Sequence, residues 1–198
     1  MQSQPIDFHP PATQAAPILL PVTSTLFADR AERFASLAGQ HSLGDWLNFL
    51  ADLSRAQHEV LQGLPSLQLP DARTLEQART HAMPPLNASS LPRPAAWRLA
   101  LQQLVQRLQA TAPESGQAAL TALLAASESE LEALADMLLK GEPDVARAAE
   151  LPFVAAALQI VFTQLASQLE ASHLHKLDAP GVCPCCGSLP VASVVRLG

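Results

Sequence analysis

The chain has 198 residues, 48% hydrophobic and 15% charged, so it is long and apolar enough to bury one sizeable core. Its formal net charge of −6 argues against a nucleic-acid-binding protein, which needs a basic face. Its three cysteines, clustered between positions 183 and 186, do not suit a secreted disulfide framework and fit metal binding in a reducing compartment better.

The N-terminal segment has no basic region followed by an apolar run, so it is not a signal peptide and we expect a cytoplasmic protein. Residues 1–22 contain five prolines and no periodic pattern, which indicates an extended arm. The apolar residues at 18–20 and Val22 would dock this arm onto the body of the protein. Disorder up to about Ala15 is the alternative.

Helical periodicity begins after the arm. The pattern predicts one helix over about 24–39 and a second over 43–62. Prolines break up residues 65–94, which leaves a short helix over 71–82 and a wrapping loop over 84–94. The second helix carries a long apolar stripe, which consists of Leu43, Trp46, Leu47, Leu50, Leu53, Val60 and Leu61.

Four more helices are predicted in the second half of the chain. They span about 95–110, 117–126, 127–140 and 151–171, and a capping box of Ser and Glu at 127 and 130 opens the third. The last helix is nearly apolar enough to suggest a membrane span. Glutamine, threonine and serine side chains interrupt it, and no aromatic or basic belts flank it, so a central core helix is favoured.

The chemistry of the chain is concentrated at its cysteine motif. Cys183 and Cys186 form a C-x-x-C pair, with a proline to stiffen the turn and Gly187 to supply the positive φ that such a turn often needs. The β-branched residues that follow, beginning with Val191, favour a strand. A turn followed by a strand is typical of half a zinc-ribbon or rubredoxin-like site, so we predict that Cys183 and Cys186 are metal ligands.

The second half of such a site is missing. A closed structural site takes four ligands, so we expect the chain to be the front part of a longer protein. In an alternative arrangement, His173 and His175 would complete a Cys2His2 site within the chain. Both histidines also suit the C-terminal end of a helix, where an imidazolium is favourable. Cys185 lies between the two predicted ligands and is interpreted as a bystander that points away from the ion. The alternatives are that it replaces Cys186 as a ligand in a truncated chain or forms adventitious crosslinks.

Two other functions for the C-x-x-C pair stay open from the residues alone, besides unassociated thiols. A thiol–disulfide oxidoreductase would use Cys183 and Cys186, although that motif normally lies where a strand turns into a helix. A zinc-ribbon nucleic-acid-binding module is disfavoured by the acidic charge balance. No nucleophile–base arrangement and no nucleotide-binding motif occurs, so an enzyme is not predicted.

The cysteine motif and several helical segments together carry a family resemblance. The most specific segment is Cys-Pro-Cys-Cys-Gly-Ser-Leu-Pro-Val-Ala-Ser at 183–193. Weaker matches are Leu-Gly-Asp-Trp-Leu at 43–47, Leu-Pro-Arg at 91–93 followed by Trp97, and Pro-Phe at 152–153. With these segments the chain resembles the FdhE-type formate dehydrogenase accessory proteins over most of residues 25–198.

The resemblance implies a cytoplasmic accessory protein for the assembly of respiratory formate dehydrogenases. Family members act on the large catalytic subunit, which carries molybdopterin and an iron–sulfur cluster, before its export. Their C-terminal region has paired C-x-x-C knuckles in rubredoxin-like folds that bind iron, with zinc as the alternative metal here. Only Cys183 and Cys186 match that pattern in this chain, so metal binding by the chain alone is left open, as is self-association.

The expected fold class is mostly α, a multi-helix bundle domain followed by the first half of a rubredoxin or zinc-ribbon-like β region. The expected organisation is an extended arm over 1–22, a helical domain over 23–178 and an incomplete metal-knuckle region over 179–198. The expected partner is the formate dehydrogenase catalytic subunit, with no nucleic acid and no membrane insertion. Binding rather than bond-making would be the work of such a protein.

Overall fold

The computed structural model describes residues 18–189 apart from 143, 176 and 178–180, and without the side chains of Ser115 and His173. It contains α1 Leu26–Ala38, α2 Gly44–Gly63, α3 Ala72–Thr80, α4 Ala96–Leu108, α5 Glu114–Ala125, α6 Glu128–Lys140 and α7 Leu151–Ala166. Short 3-10 turns lie at Val145–Arg147 and Ala171–His173. The mostly helical fold is therefore confirmed, with no strand among the described residues. The β region predicted after the knuckle, like most of the arm over 1–22, lies outside them.

Helix α7 lies at the centre of the core. It packs against α2, α4 and α6, and it needs an apolar surface nearly all round because neighbours cover several of its sides. Its buried residues are Leu151, Phe153, Val154, Ala156, Ala157, Leu158, Ile160, Val161 and Leu165. The prediction of a core helix is confirmed.

None of the helices in the described part of the chain has both the length and the apolar character that crossing a bilayer requires.

The capping box that opens α6 is confirmed in both directions. The Ser127 N–H donates to Glu130 Oε2 at 2.7 Å, and the Glu130 N–H donates to Ser127 Oγ at 3.3 Å. The Ser127 hydroxyl also donates to Glu130 Oε2, at 2.6 Å, and this bond together with the one from the Ser127 amide lowers the pKa of Glu130. The last turn closes at Gly141, in the left-handed conformation with φ 71°.

Two predicted helix boundaries are wrong. Helix α5 begins at Glu114 rather than at 117, because Pro113 is its N-cap and Gly116 lies inside its first turn, where the Gly116 N–H donates to Pro113 O at 2.7 Å. Helix α7 ends at Ala166 rather than at 171. The Ser167 hydroxyl donates to Gln164 O at 2.8 Å, and separate turns follow before the 3-10 segment.

The first part of the predicted α2 stripe is also wrong, because Leu43 is 56% and Trp46 is 48% exposed. The buried face of α2 starts instead at Phe49, whose ring lies edge-on to Phe153 with 6.1 Å between centroids. This aromatic pair is where α2 first contacts α7. The first turn of α2 precedes the contact and is therefore left exposed. The later members of the stripe, from Leu53 onward, are buried as predicted.

A buried tryptophan and a charged cluster join α4 to α6. The Trp97 indole N–H donates to Glu132 Oε1 at 2.8 Å, and the guanidinium groups of Arg93 and Arg98 also bond the Glu132 carboxylate. Asp136 gives Arg93 a second acidic partner. Burial raises the pKa of Glu132, but the bonds from Trp97 and Arg98 outweigh burial, and the pKa is lowered overall. The carboxylate therefore stays ionised and links the two helices.

Candidate metal knuckle and adjoining cleft

The C-x-x-C motif forms a tight turn, as its sequence predicts. The Gly187 N–H donates to Cys183 O at 2.9 Å, and the Cys183 N–H donates to Ser188 O at 2.9 Å. Gly187 has φ 78°, a left-handed conformation that a residue with a Cβ adopts only at a cost. These bonds bring the two ends of the motif together, so Cys183 and Cys186 lie on one turn.

The knuckle is supported by the loop between α3 and α4, almost a hundred residues earlier in the chain. The Leu86 N–H donates to Cys185 O and the Ala88 N–H donates to Cys186 O, both at 2.9 Å. Leu86 is fully buried and anchors this loop in the core. The cysteine turn is therefore fixed to the helical body by backbone hydrogen bonds, in addition to its chain connection.

The three thiols differ in their electrostatic surroundings. The Cys186 side chain, whose sulfur also lies 3.5 Å from Ser188 Oγ, hydrogen-bonds the Cys183 sulfur. With the N–H groups of Cys186 and Cys185, this bond lowers the pKa of Cys183 to about 5. The same bond raises the pKa of Cys186, which is the donor. Burial raises the pKa of Cys185 to about 12, in keeping with its packing against the core. Cys183 therefore has the lowest pKa of the three thiols.

Two thiols on one tight turn fit half of a tetrahedral thiolate metal site. No cluster of three or more His, Cys, Asp or Glu that would hold an ion is present among the described residues. The alternative Cys2His2 set is not assembled there: His175 is exposed, and the His173 side chain lies outside the description. Cys183 and Cys186 would thus need further ligands from elsewhere.

An open cleft of about 360 Å³ lies beside the knuckle. Its lining includes the end of the N-terminal arm, residues 18–21, and the cysteine turn at 183–186. The floor is the C-terminal half of α7, where Phe162 and Ala166 are apolar and Gln159 and Thr163 are polar. From the sequence alone these two polar residues are predicted only to interrupt an apolar helix, because nothing in the local sequence shows which side of α7 faces a cleft.

Gly187→Ala is expected to loosen the knuckle from its support. Alanine in the left-handed conformation costs about 1–2 kcal/mol, and a Cβ at this position would lie 3.3 Å from the ring of Pro84. A penalty of that size corresponds to roughly 5–30-fold faster amide hydrogen exchange at Leu86 and Ala88, which donate to the knuckle.

Gly181→Ala is the matched control. Gly181 has nearly the same φ, 76°, but a Cβ there meets nothing within 4 Å. Exchange at Leu86 and Ala88 should be unchanged in this variant, because the strain at Gly181 falls before the turn to which these two N–H groups donate. Equal acceleration in both variants would show that the Pro84 contact does not fix the knuckle.

Comparison with known proteins places this arrangement in a family. The family model described as "FdhE, N-terminal" matches residues 15–179, well over half of the chain. The chain belongs to the FdhE family. The resemblance drawn from the cysteine motif and the helical segments is thereby confirmed.

Individual FdhE relatives agree along nearly the whole chain. "Protein FdhE homolog" of Serratia proteamaculans (strain 568) is 38% identical over 183 residues, which are 92% of this chain and 59% of the relative. The FdhE homolog of Pseudomonas aeruginosa is 37% identical over 187 residues, 94% of this chain and 60% of the relative. The chain thus spans about 60% of the length of these relatives.

A solved structure shows the same FdhE fold. The crystal structure of the FdhE protein from Pseudomonas aeruginosa superimposes with a TM-score of 0.77 at 37% sequence identity. The match covers 88% of this chain and 61% of the crystallised chain. The arrangement of helices described above is therefore an arrangement found in the FdhE family.

Proposed function

We propose that this FdhE-family chain is an accessory protein for formate dehydrogenase that binds the immature catalytic subunit in the cytoplasm. Its membership of the FdhE family supports this function, since the identity of 38% extends over 92% of the chain. The observation that carries the proposal is the docking of the cysteine turn on the helical body through Leu86 and Ala88. A client can then contact the helices and the knuckle at the same time. Such a contact surface serves binding and does not require catalysis.

Cys183 and Cys186 are the proposed metal ligands, with iron as the metal and zinc as the alternative. A bound ion would add thiolate coordination that ties the knuckle to further ligands outside the described residues. The protein itself contributes the tight turn and the N–H groups that hold Cys183 as a thiolate. Metal binding releases protons from thiols, so the lowered pKa of Cys183 reduces the cost of binding, whereas the raised pKa of Cys186 increases it.

Co-purification with a formate dehydrogenase catalytic subunit tests the proposal. The chain should retain the cofactor-free subunit. Cys183→Ala/Cys186→Ala should weaken this retention at least about tenfold, because loss of groups that support a metal site lowers metal affinity or activity by about that factor or more. Cys185→Ala is the control, because its thiol packs against the core and is not a proposed ligand. Failure of the unaltered chain to retain the subunit would remove the accessory function.

A thiol–disulfide oxidoreductase is the second candidate, favoured by the lowered pKa of Cys183. Reduction of insulin disulfides by the metal-free protein separates the two functions. We expect no reduction above that of a Cys183→Ala/Cys186→Ala control, since the described residues after Cys186 form no helix whose N-terminus would activate the thiol. Turnover that depends on Cys183 would favour the oxidoreductase.

A further inference from the structure

The polar floor of the cleft beside the knuckle has a fixed direction of hydrogen bonding. Gln159 Oε1 accepts from Arg30 Nη1 and from Gln57 Nε2, each at 3.2 Å. Because both neighbours are donors, the oxygen of the Gln159 amide must face them, and its N–H₂ group is left for the cleft. In the described part of the chain, no acceptor bonds Gln159 Nε2.

Thr163 adds a second donor to the same face of the cleft. It lies four residues after Gln159, one turn along α7, and both residues line the cleft. The Thr163 hydroxyl has no hydrogen bond among the described residues, whereas Ser167 and Gln168 on the next turn both bond backbone oxygens. Two donors on neighbouring turns of α7 therefore line the same cleft.

A positively charged side chain, Arg30, is hydrogen-bonded to Gln159. Arg30 is half-buried, its guanidinium lies 5.0 Å from the centroid of the Phe27 ring, and its described hydrogen bond goes to neutral Gln159. No ion pair in the described part of the chain includes Arg30. An uncompensated cation that polarises a donor amide favours a negatively charged acceptor over a neutral one.

The wall formed by the arm indicates an extended ligand. Leu19 and Leu20 are in no regular secondary structure, and within the described part of the chain no hydrogen bond involves their backbone groups. Leu19 is 83% exposed at the rim of the cleft. Unpaired backbone beside an apolar floor is what an extended peptide pairs with when it adds to an edge, and 360 Å³ lies within the usual range for ligand clefts of about 300–1,000 Å³.

We infer that this cleft binds an extended apolar peptide segment of the client and that an acidic side chain of the segment accepts hydrogen bonds from Gln159 and Thr163. Phe162 and Ala166 receive its apolar side chains, and the knuckle at 183–186 lines the same cleft. The inference depends on the proposed function in one respect only, namely that the peptide comes from the formate dehydrogenase subunit. The binding itself is testable without formate dehydrogenase.

Fluorescence anisotropy with two matched sets of labelled octapeptides tests the inference. In one set a single Glu is flanked by Leu, Val or Phe, and in the other set Gln replaces that Glu. We expect the Glu peptides to bind at least tenfold more tightly. In Gln159→Glu the preference should disappear, since the variant keeps an oxygen for Arg30 and Gln57 but turns a second oxygen, in place of N–H₂, toward the ligand.

Gln106→Glu is the matched control, because it makes the same change of charge at an exposed position of α4 away from the cleft. This control should keep the tenfold preference, and both variants should melt within a few degrees of the unaltered chain. Equal affinities for the two peptide sets, or a preference that survives Gln159→Glu, would overturn the inference. Self-association that Gln159→Glu abolishes would also overturn it, because a second copy would then be the occupant.

The two proposals fail separately. A chain that binds Glu peptides but does not retain the formate dehydrogenase subunit would overturn the proposed function and support the peptide site. A chain that retains the subunit equally well with Gln159 or Glu at position 159, and shows no preference between the peptide sets, would overturn the peptide site alone.

Discussion

Replacing Trp97 by alanine is expected to lower the free energy of unfolding by about 3–5 kcal/mol, the usual cost of removing a large aromatic side chain from a packed core. Trp97 has no exposed surface, and its indole N–H donates to Glu132. Truncation leaves a cavity and also removes a donor from a carboxylate that links α4 to α6. Chemical denaturation followed by circular dichroism measures the change, and Trp97→Phe should lose less because it keeps most of the ring volume.

The second tryptophan of the chain provides the control. Trp46 is 48% exposed on the first turn of α2, so Trp46→Ala should cost about 1 kcal/mol or less, as surface substitutions usually do. A loss at Trp46 as large as that at Trp97 would mean that the first turn of α2 is covered in solution. It would contradict the arrangement of α2 described here.

The second large effect is expected in the reactivity of Cys183 in metal-free protein. Its pKa of about 5 predicts an alkylation rate with iodoacetamide that rises through an inflection near pH 5 and is almost flat above pH 6. Cys186→Ala removes the S–H donor that contributes most to this lowering. The inflection should then move up toward the ordinary thiol pKa of about 8.5.

The rate at pH 6 should fall roughly tenfold in Cys186→Ala. The thiolate fraction falls by more than a hundredfold if the full shift is lost, but the more basic thiolate is a better nucleophile, which offsets part of the loss. Mass spectrometry of the alkylated peptides assigns the reaction, and Cys185→Ala should leave the Cys183 inflection in place. An inflection near pH 8 in the unaltered protein would refute the mutual hydrogen bond of the two thiols.

Local chemistry explains which parts of the fold could be predicted. The capping box at Ser127 and Glu130 and the turn at Gly187 depend on residues within three or four positions of each other, so their sequence contains the cause. The apolar content of α7 likewise decides its place in the core without knowledge of its neighbours. The start of α5 was missed because Gly116 weakens a helix in general, yet costs little in a first turn that Pro113 already caps.

Contacts between distant segments explain what could not be predicted. The exposure of Trp46 depends on where α2 first meets α7, and the support of the knuckle by Leu86 and Ala88 joins segments almost a hundred residues apart. The donor direction of Gln159 is set by Arg30 on α1. A single sequence shows which residue types occupy these positions, but it does not show which surfaces come together.

The support of the knuckle by the loop between α3 and α4 has a consequence for the order of folding. Chains emerge from the ribosome N-terminus first, and contacts between distant segments form late because closing a long loop costs entropy. The turn at 183–186 can settle only against a loop that Leu86 has already anchored in a finished core. In a nascent chain whose helices have not yet packed, the loop that supports the cysteine turn is not yet in place, so docking of that turn comes after assembly of the bundle.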